Sequence, residues 1–174
     1  GEKLPGRTGP YCPDPRPAIV YASCSVTDLD AARDFYGNML GLKIVSPDAL
    51  HLSEHEALWG LAGAHCNSFL VSLDDMFVEV VEYQDPKGQP KPAGHMLTDQ
   101  GIMNIALGSR DVSLVRELHA RLKSQGVTMT QAFGNDQAMA SYVIDPEREV
   151  ELLGLDEAYD EMFGFVPGKP FFDS

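Results

Sequence analysis

Two glutamates stand where a buried strand should carry only apolar side chains. Glu79 interrupts the run FVEVVEY (77–83), and Glu151 sits inside REVELLGL (148–155). A carboxylate in apolar surroundings keeps a proton at raised pKa or is neutralised by a metal; at an open, wet rim it is merely solvated. The first two options are chemistry: a pair of carboxylates moves a proton at carbon next to a carbonyl, or anchors a divalent ion. Strand alternation places Phe77, Glu79, Val81 and Tyr83 on one face. His65 opens HCNSFLVSL and shares a strand face with Asn67 and Phe69. There it would bind substrate or act as a base if the face lines a pocket, and would merely pack or hydrogen-bond if it does not. Trp59 ends a short predicted helix, SEHEALW, that would either cover a pocket mouth or pack in the core.

The elements that must hold these groups occur twice. Residues 19–26, IVYASCSV, predict a strand; Thr27 or Asp28 can cap the following helix. Leu29, Ala32, Phe35, Tyr36 and Met39 recur at helical spacing, Gly41 stops the helix, and LKIV (42–45) predicts a strand. The same order returns in IMNIALGS (102–109), a cap at Ser109 or Asp111, a stripe at Val112, Val115, Leu118 and Leu122, a stop at Gly126, and a strand beginning at VTM (127–129). Strands SFLVSL (68–73) and FVEVVEY complete the first unit, and ASYVI (140–144) and EVELLGL (149–155) the second. Setting Asp28 against Asp111 aligns the copies without a gap from strand to helix, and Glu79 becomes the counterpart of Glu151. The predicted fold is α+β, two tandem βαβββ modules with both glutamates facing a shared pocket.

The expected organisation is a Pro/Gly-rich arm (1–18), a first module (19–83), a linker (84–101), a second module (102–155) and a short helix with an aromatic tail (156–174). Ser53 with Glu56 reads as a capping box for SEHEALW. His51 and His55 flank that helix, His95 lies in the linker, and His119 is expected on the exposed side of the second helix. The acidic run AYDEMF (158–163) reads as a solvated helix face, and the tail containing Phe163, Phe165, Phe171 and Phe172 is expected to dock on the domain or on a partner.

The net charge of −13 opposes binding to nucleic-acid phosphates, and no apolar run approaches the ~20 residues that span a bilayer. Cys12, Cys24 and Cys66 fit neither a disulfide framework nor a metal knuckle; Cys24 reads as a small buried hydrophobe, and nothing in the sequence supports a Cys12–Cys66 bridge. The expected compartment is the cytoplasm, or the exterior if a leader was removed. Nucleotide, phosphate-loop, zincin and hydrolase-elbow motifs are absent from the sequence.

VTDLDAARDFYGNMLGLKIV resembles the opening of the glyoxalase / bleomycin-resistance / extradiol-dioxygenase family, the vicinal oxygen chelate superfamily. IMNIALGSRDV with VIDPEREVELLG resembles its second module. The resemblance covers residues 19–155 and implies that the two modules' sheets form a cup, holding a metal that chelates two neighbouring substrate oxygens. The implied ligands are a His or Gln on the first strand of each module and a Glu on the last. The Glu positions are Glu79 and Glu151, but the first-strand positions fall on Tyr21 and Asn104. Neither is a good ligand for Zn, Ni, Co or Fe, and the two-histidine extradiol iron site is missing. The cofactor implied is a divalent metal (Mg, Mn, Zn or Ni) held by Glu79, Glu151 and Asn104, or none.

Two readings follow. In one, a lyase or isomerase uses Glu79 and Glu151 as catalytic groups, with Tyr21, Asn104, His65, Phe69 and Trp59 contacting a small oxygenated substrate. In the other, a metal-free cup sequesters a small molecule, as in bleomycin-resistance proteins. The resemblance also implies a homodimer. A third, an interaction domain recruiting a partner through its aromatic tail, predicts no small-molecule binding.

Overall fold

A computed structural model describes residues 21–47, 52–73, 76–96, 98–145, 147–148 and 150–163. The expectations for the N-terminal arm, Cys12, residues 19 and 20, His51, Glu149 and the tail beyond Phe163 lie outside the described residues. The chain divides into two compact units, one running through Pro90 and one beginning at Lys91.

In the first unit, β1 (Tyr21–Ser25) is followed by α1 (Leu29–Arg33), β2 (Lys43–Val45), a 3-10 helix (Ser53–Trp59), β3 (His65–Ser72) and β4 (Phe77–Asp85). Asp28, not Thr27, caps α1: its side chain accepts from the Ala31 N–H at 2.8 Å. Such a cap satisfies a helix-terminal donor and contributes ~1 kcal/mol. The helix then widens into a π-helical stretch, Asp34–Met39, in which the Leu40 N–H reaches the Phe35 carbonyl. Widening keeps Phe35 and Tyr36 buried side by side at 5.2 Å, and Tyr36 meets Phe69 edge-on. Gly41, at φ 74°, ends the run in the left-handed region that suits glycine.

The sheet order is β1-β4-β3-β2, with β1 parallel to β4 and the other pairs antiparallel. Glu82 Oε2 accepts from the Leu29 N–H at 3.3 Å, and Cys24 is hydrogen-bonded to Tyr36. These contacts fix the face of Cys24, Val80 and Glu82 toward the helix. Alternation sends Tyr21, Ser23, Cys66, Ser68, Glu79 and Tyr83 to the opposite face.

The second unit repeats this order: β5 (Ile105–Ser109), α2 (Val112–Ser124), β6 (Phe133–Gly134), β7 (Ala138–Tyr142) and β8 (Val150–Leu155), in a sheet ordered β5-β8-β7-β6. Asp111 caps α2 through the Leu114 N–H at 3.1 Å. The duplicated pattern extends to the residue level: Ser23 pairs with Glu79 and Ala106 with Glu151, and the Asp28/Asp111 alignment makes Ser23 and Ala106 counterparts.

Three expectations are corrected. The strand expected from Val127 is reduced to one bridge, Met129 with Val143, and Phe133–Gly134 takes the paired position. Gly134 makes that possible: its φ is 115°, and a Cβ there would stand 2.1 Å from the Ala138 carbonyl oxygen. His119 is buried, not exposed, because it falls one turn from Val115 and Leu122, on the face that meets Ser141 of β7 at 3.0 Å. Burial, with Lys123 and Arg116 nearby, lowers its pKa. In the acidic run, Asp160 pairs with Arg110, whose Nη2 lies 3.1 Å from Oδ2, so that face is tied to the unit rather than only solvated. No helix among the described residues is long and apolar enough to cross a membrane.

Candidate functional site

The two glutamates occupy equivalent strand positions with different surroundings. Glu79, on the central strand β4, is 1% exposed, and Ser23 Oγ donates to its Oε2 at 2.9 Å. Burying a carboxylate is costly unless donors meet it, and the directly paired hydroxyl is one such donor. Glu151 is half-buried on β8. Its pairing partner, Ala106, has no polar side chain, so the donor comes from two residues earlier on the same face. Asn104 Nδ2 donates to Glu151 Oε2 at 2.8 Å. Tyr142, directly opposite Glu151 on β7, adds a second hydrogen bond. Burial, the Glu151 charge and that hydrogen bond raise the Tyr142 pKa, so its O–H stays protonated and donates. Phe133 stacks on Tyr142 with ring centroids 6.2 Å apart, and is itself exposed.

The first-strand positions expected to hold a metal therefore behave unequally. Asn104 reaches its glutamate. Tyr21 is 40% exposed and pairs with Phe77, while Ser23 takes the place beside Glu79. A carboxylate only accepts, so Asn104 turns an N–H toward Glu151, not the carbonyl oxygen a metal would need there. Among the described residues no three His, Cys, Asp or Glu side chains gather to hold a metal ion. These donors do not fit the resident divalent metal that the resemblance implies.

The remaining predicted residues scatter. Phe69 is buried at 1% exposure between Tyr36 and Arg33, whose guanidinium carbon lies 4.6 Å above its ring; it is a core residue, not a pocket wall. Trp59 is half-exposed on the 3-10 helix. His65 and Asn67 line an open pocket of about 470 Å³ in the first unit.

The sequence reading missed Glu56. The Ser53 side chain lies outside the described residues; His55 Nδ1 accepts from the Leu52 N–H at 3.3 Å, and Glu56 is completely buried. Cys66 Sγ donates to its Oε1 at 3.2 Å, and the Tyr83 hydroxyl to its Oε2 at 3.0 Å. This cluster ties the helix to strands β3 and β4. The only sequence signal was the alternation that puts Glu79 and Tyr83 on one face; the partner from another element had no local mark. Burial, the hydrogen bond to Glu56 and the charges of Glu56 and Glu79 push the Cys66 thiol and the Tyr83 phenol each up to about 12. Both protons therefore stay in place at neutral pH. Burial and the charge of Glu79 raise Cys24 to about 11 against a hydrogen bond from Tyr36, which keeps it an inert thiol.

A pH dependence follows. The folded pKa values of Cys66 and Tyr83 lie above their ordinary values of 9.0 and 10.0. The unfolded chain therefore releases these protons first as pH rises. Their contribution to stability is complete below pH 9 and is lost between pH 9 and 12. Urea unfolding at pH 8 and pH 10.5 should show a lower midpoint at the higher pH. Cys66→Ser with Tyr83→Phe should reduce that drop; an unchanged drop would assign it to other groups.

The glyoxalase-like domain model matches residues 21–161, most of the chain and both βαβββ units. The chain belongs to this family. Its structure is similar to a glyoxalase family protein from Bacillus cereus (TM-score 0.62, 14% identity, covering 83% of this chain and 98% of that one). It is also similar to a glyoxalase/dioxygenase from Nostoc punctiforme (TM-score 0.59, 17% identity, 87% and 99%). A lactoylglutathione lyase from Agrobacterium tumefaciens shares the fold at TM-score 0.52 and 19% identity, covering 81% and 96%. No curated protein matches the chain. At these identities the family's structures establish the glyoxalase-like fold, and residue roles must be argued from this chain's own geometry.

Proposed function

We propose that this family member binds a small oxygenated molecule and moves a proton at the carbon next to its carbonyl without a resident metal. The observation that carries this is the Asn104–Glu151–Tyr142 constellation, a half-buried carboxylate held by two donors beside an exposed aromatic ring. Glu151 accepts the carbon-bound proton and returns it to the same or the neighbouring carbon, giving an isomerase reaction, or gives it to a leaving group as the bond from the β-carbon to that group breaks, giving a lyase reaction. The Asn104 amide has two N–H groups; one holds Glu151, and the second is available to the developing enolate oxygen. Phe133 and Tyr142 provide an apolar surface that keeps water from the reacting carbon.

A metal-free binding protein is the second reading, favoured by the sealed position of Glu79, which leaves the first unit's counterpart carboxylate without open access. One experiment separates the two. The protein is incubated in D2O with EDTA and a panel of α-hydroxy ketones, aldehydes and cyclic ketones. Loss of α-proton signals is followed by NMR, and binding by thermal shift. Exchange that persists in EDTA supports proton transfer. Stabilisation without exchange leaves the binding reading. Exchange that EDTA abolishes and a divalent ion restores would sink the metal-independent mechanism.

A further inference from the structure

The first unit contains a pocket at one edge of its sheet, with a polar wall that the fold uses only in part. β2 pairs with β3 from Leu70 to Ser72, and among the described residues no strand lies beside the edge of β3 from His65 to Phe69 there. The open pocket at that edge, about 470 Å³, is lined by the polar residues Arg33, His65, Asn67 and Ser68, with Leu29 and Pro47 as apolar wall. That volume falls within the ~300–1,000 Å³ typical of small-molecule sites.

The chemistry of the wall is one-sided. Among the described residues no carboxylate pairs with Arg33, and its guanidinium rests on the Phe69 ring, which holds it in place. Asn67, on the Phe69 face of β3, is likewise without a side-chain hydrogen bond among the described residues. Glu56 contributes to the wall, but it is fully buried and both its oxygens receive hydrogen bonds, from Cys66 and Tyr83. Arg33, His65 and Asn67 are all exposed, so these groups are open to a ligand arriving from solvent. A guanidinium with amide and imidazole groups beside it matches an oxyanion, which it can grip through two parallel N–H bonds.

We infer that this pocket is a binding site for the carboxylate or phosphate group of a small molecule, gripped by Arg33 with Asn67 and His65. It lies entirely within the first unit and does not depend on the proton-transfer reading of Glu151.

Isothermal titration of the full-length protein at low salt tests this, with phenylacetate and phenyl phosphate as the carboxylate and phosphate probes. At least one should bind, with affinity falling as salt is raised; the tighter arm identifies the anion. Arg33→Gln should weaken binding at least tenfold, Arg33→Lys by less, and Asn67→Ala about threefold or more, while Glu151→Gln leaves it unchanged. If Arg33→Gln fails to fold for want of its contact with Phe69, Asn67→Ala and His65→Ala decide. Absence of binding by either probe at millimolar concentration would overturn the inference. So would wild-type affinity in the folded pocket variants, or equal weakening by Glu151→Gln.

Discussion

Glu151→Gln should slow exchange of the substrate's α-proton by about 10²–10⁴-fold, the range of a single positioned acid–base group, whereas Glu79→Gln should retain the rate per folded molecule to within about tenfold. The asymmetry comes from neighbouring residues. Ala106 leaves Glu151 to be oriented from the side by Asn104 and Tyr142, with part of its surface accessible. Ser23 closes directly on Glu79, which is buried. Glutamine preserves the size of Glu151 and an oxygen that can accept from Asn104, so the variant should fold. Steady-state exchange with the best substrate of the panel, normalised to folded fraction, gives the readout. Equal large losses in both variants would restore the symmetric pair; no loss at Glu151 would end the proposal. Asn104→Ala should be intermediate, with loss in kcat rather than KM, since its second N–H meets an oxygen that is charged only as the enolate forms.

Glu56→Ala should destabilise the first unit by roughly 3 kcal/mol, because it leaves the Cys66 and Tyr83 donors unsatisfied and opens a cavity. For a chain of this length that lowers Tm by about 6–12 °C. The reference is a triple variant, Glu56→Leu with Cys66→Ala and Tyr83→Phe. Replacing every member of a buried polar cluster with apolar groups is commonly much less costly than removing one. The triple variant should therefore recover a substantial part of the lost Tm. Calorimetry of wild type, single and triple variants checks this. A single variant as stable as wild type would show that the 3-10 helix is not anchored by its glutamate.

Much of the architecture could be read along the chain because it is set by local rules. Alternation marked Glu79 and Glu151, caps at Asp28 and Asp111 marked both helix starts, and Gly41 and Gly126 marked their ends. The repeat itself, with its equivalent strand positions, was legible because both copies use the same order of periodic segments. The Asn104–Glu151 contact was also within reach, since the alignment placed them in one module.

What depended on the tertiary structure is the fate of each carboxylate. Whether a strand glutamate is sealed or accessible depends on the residue paired beside it, Ser23 or Ala106, and strand register is a property of the sheet. Glu56 read locally as a helix cap, and its meeting with Cys66 and Tyr83 had no local mark, because a carboxylate that receives these two donors joins groups from three elements at once. His119 turned inward for a related reason: a single position on the α2 face met the Ser141 hydroxyl of a strand 22 residues away. Sequence alone determined which elements form and which residues share a face; only packing decided which polar groups meet, because burial energies depend on partners that the chain brings together from distant positions.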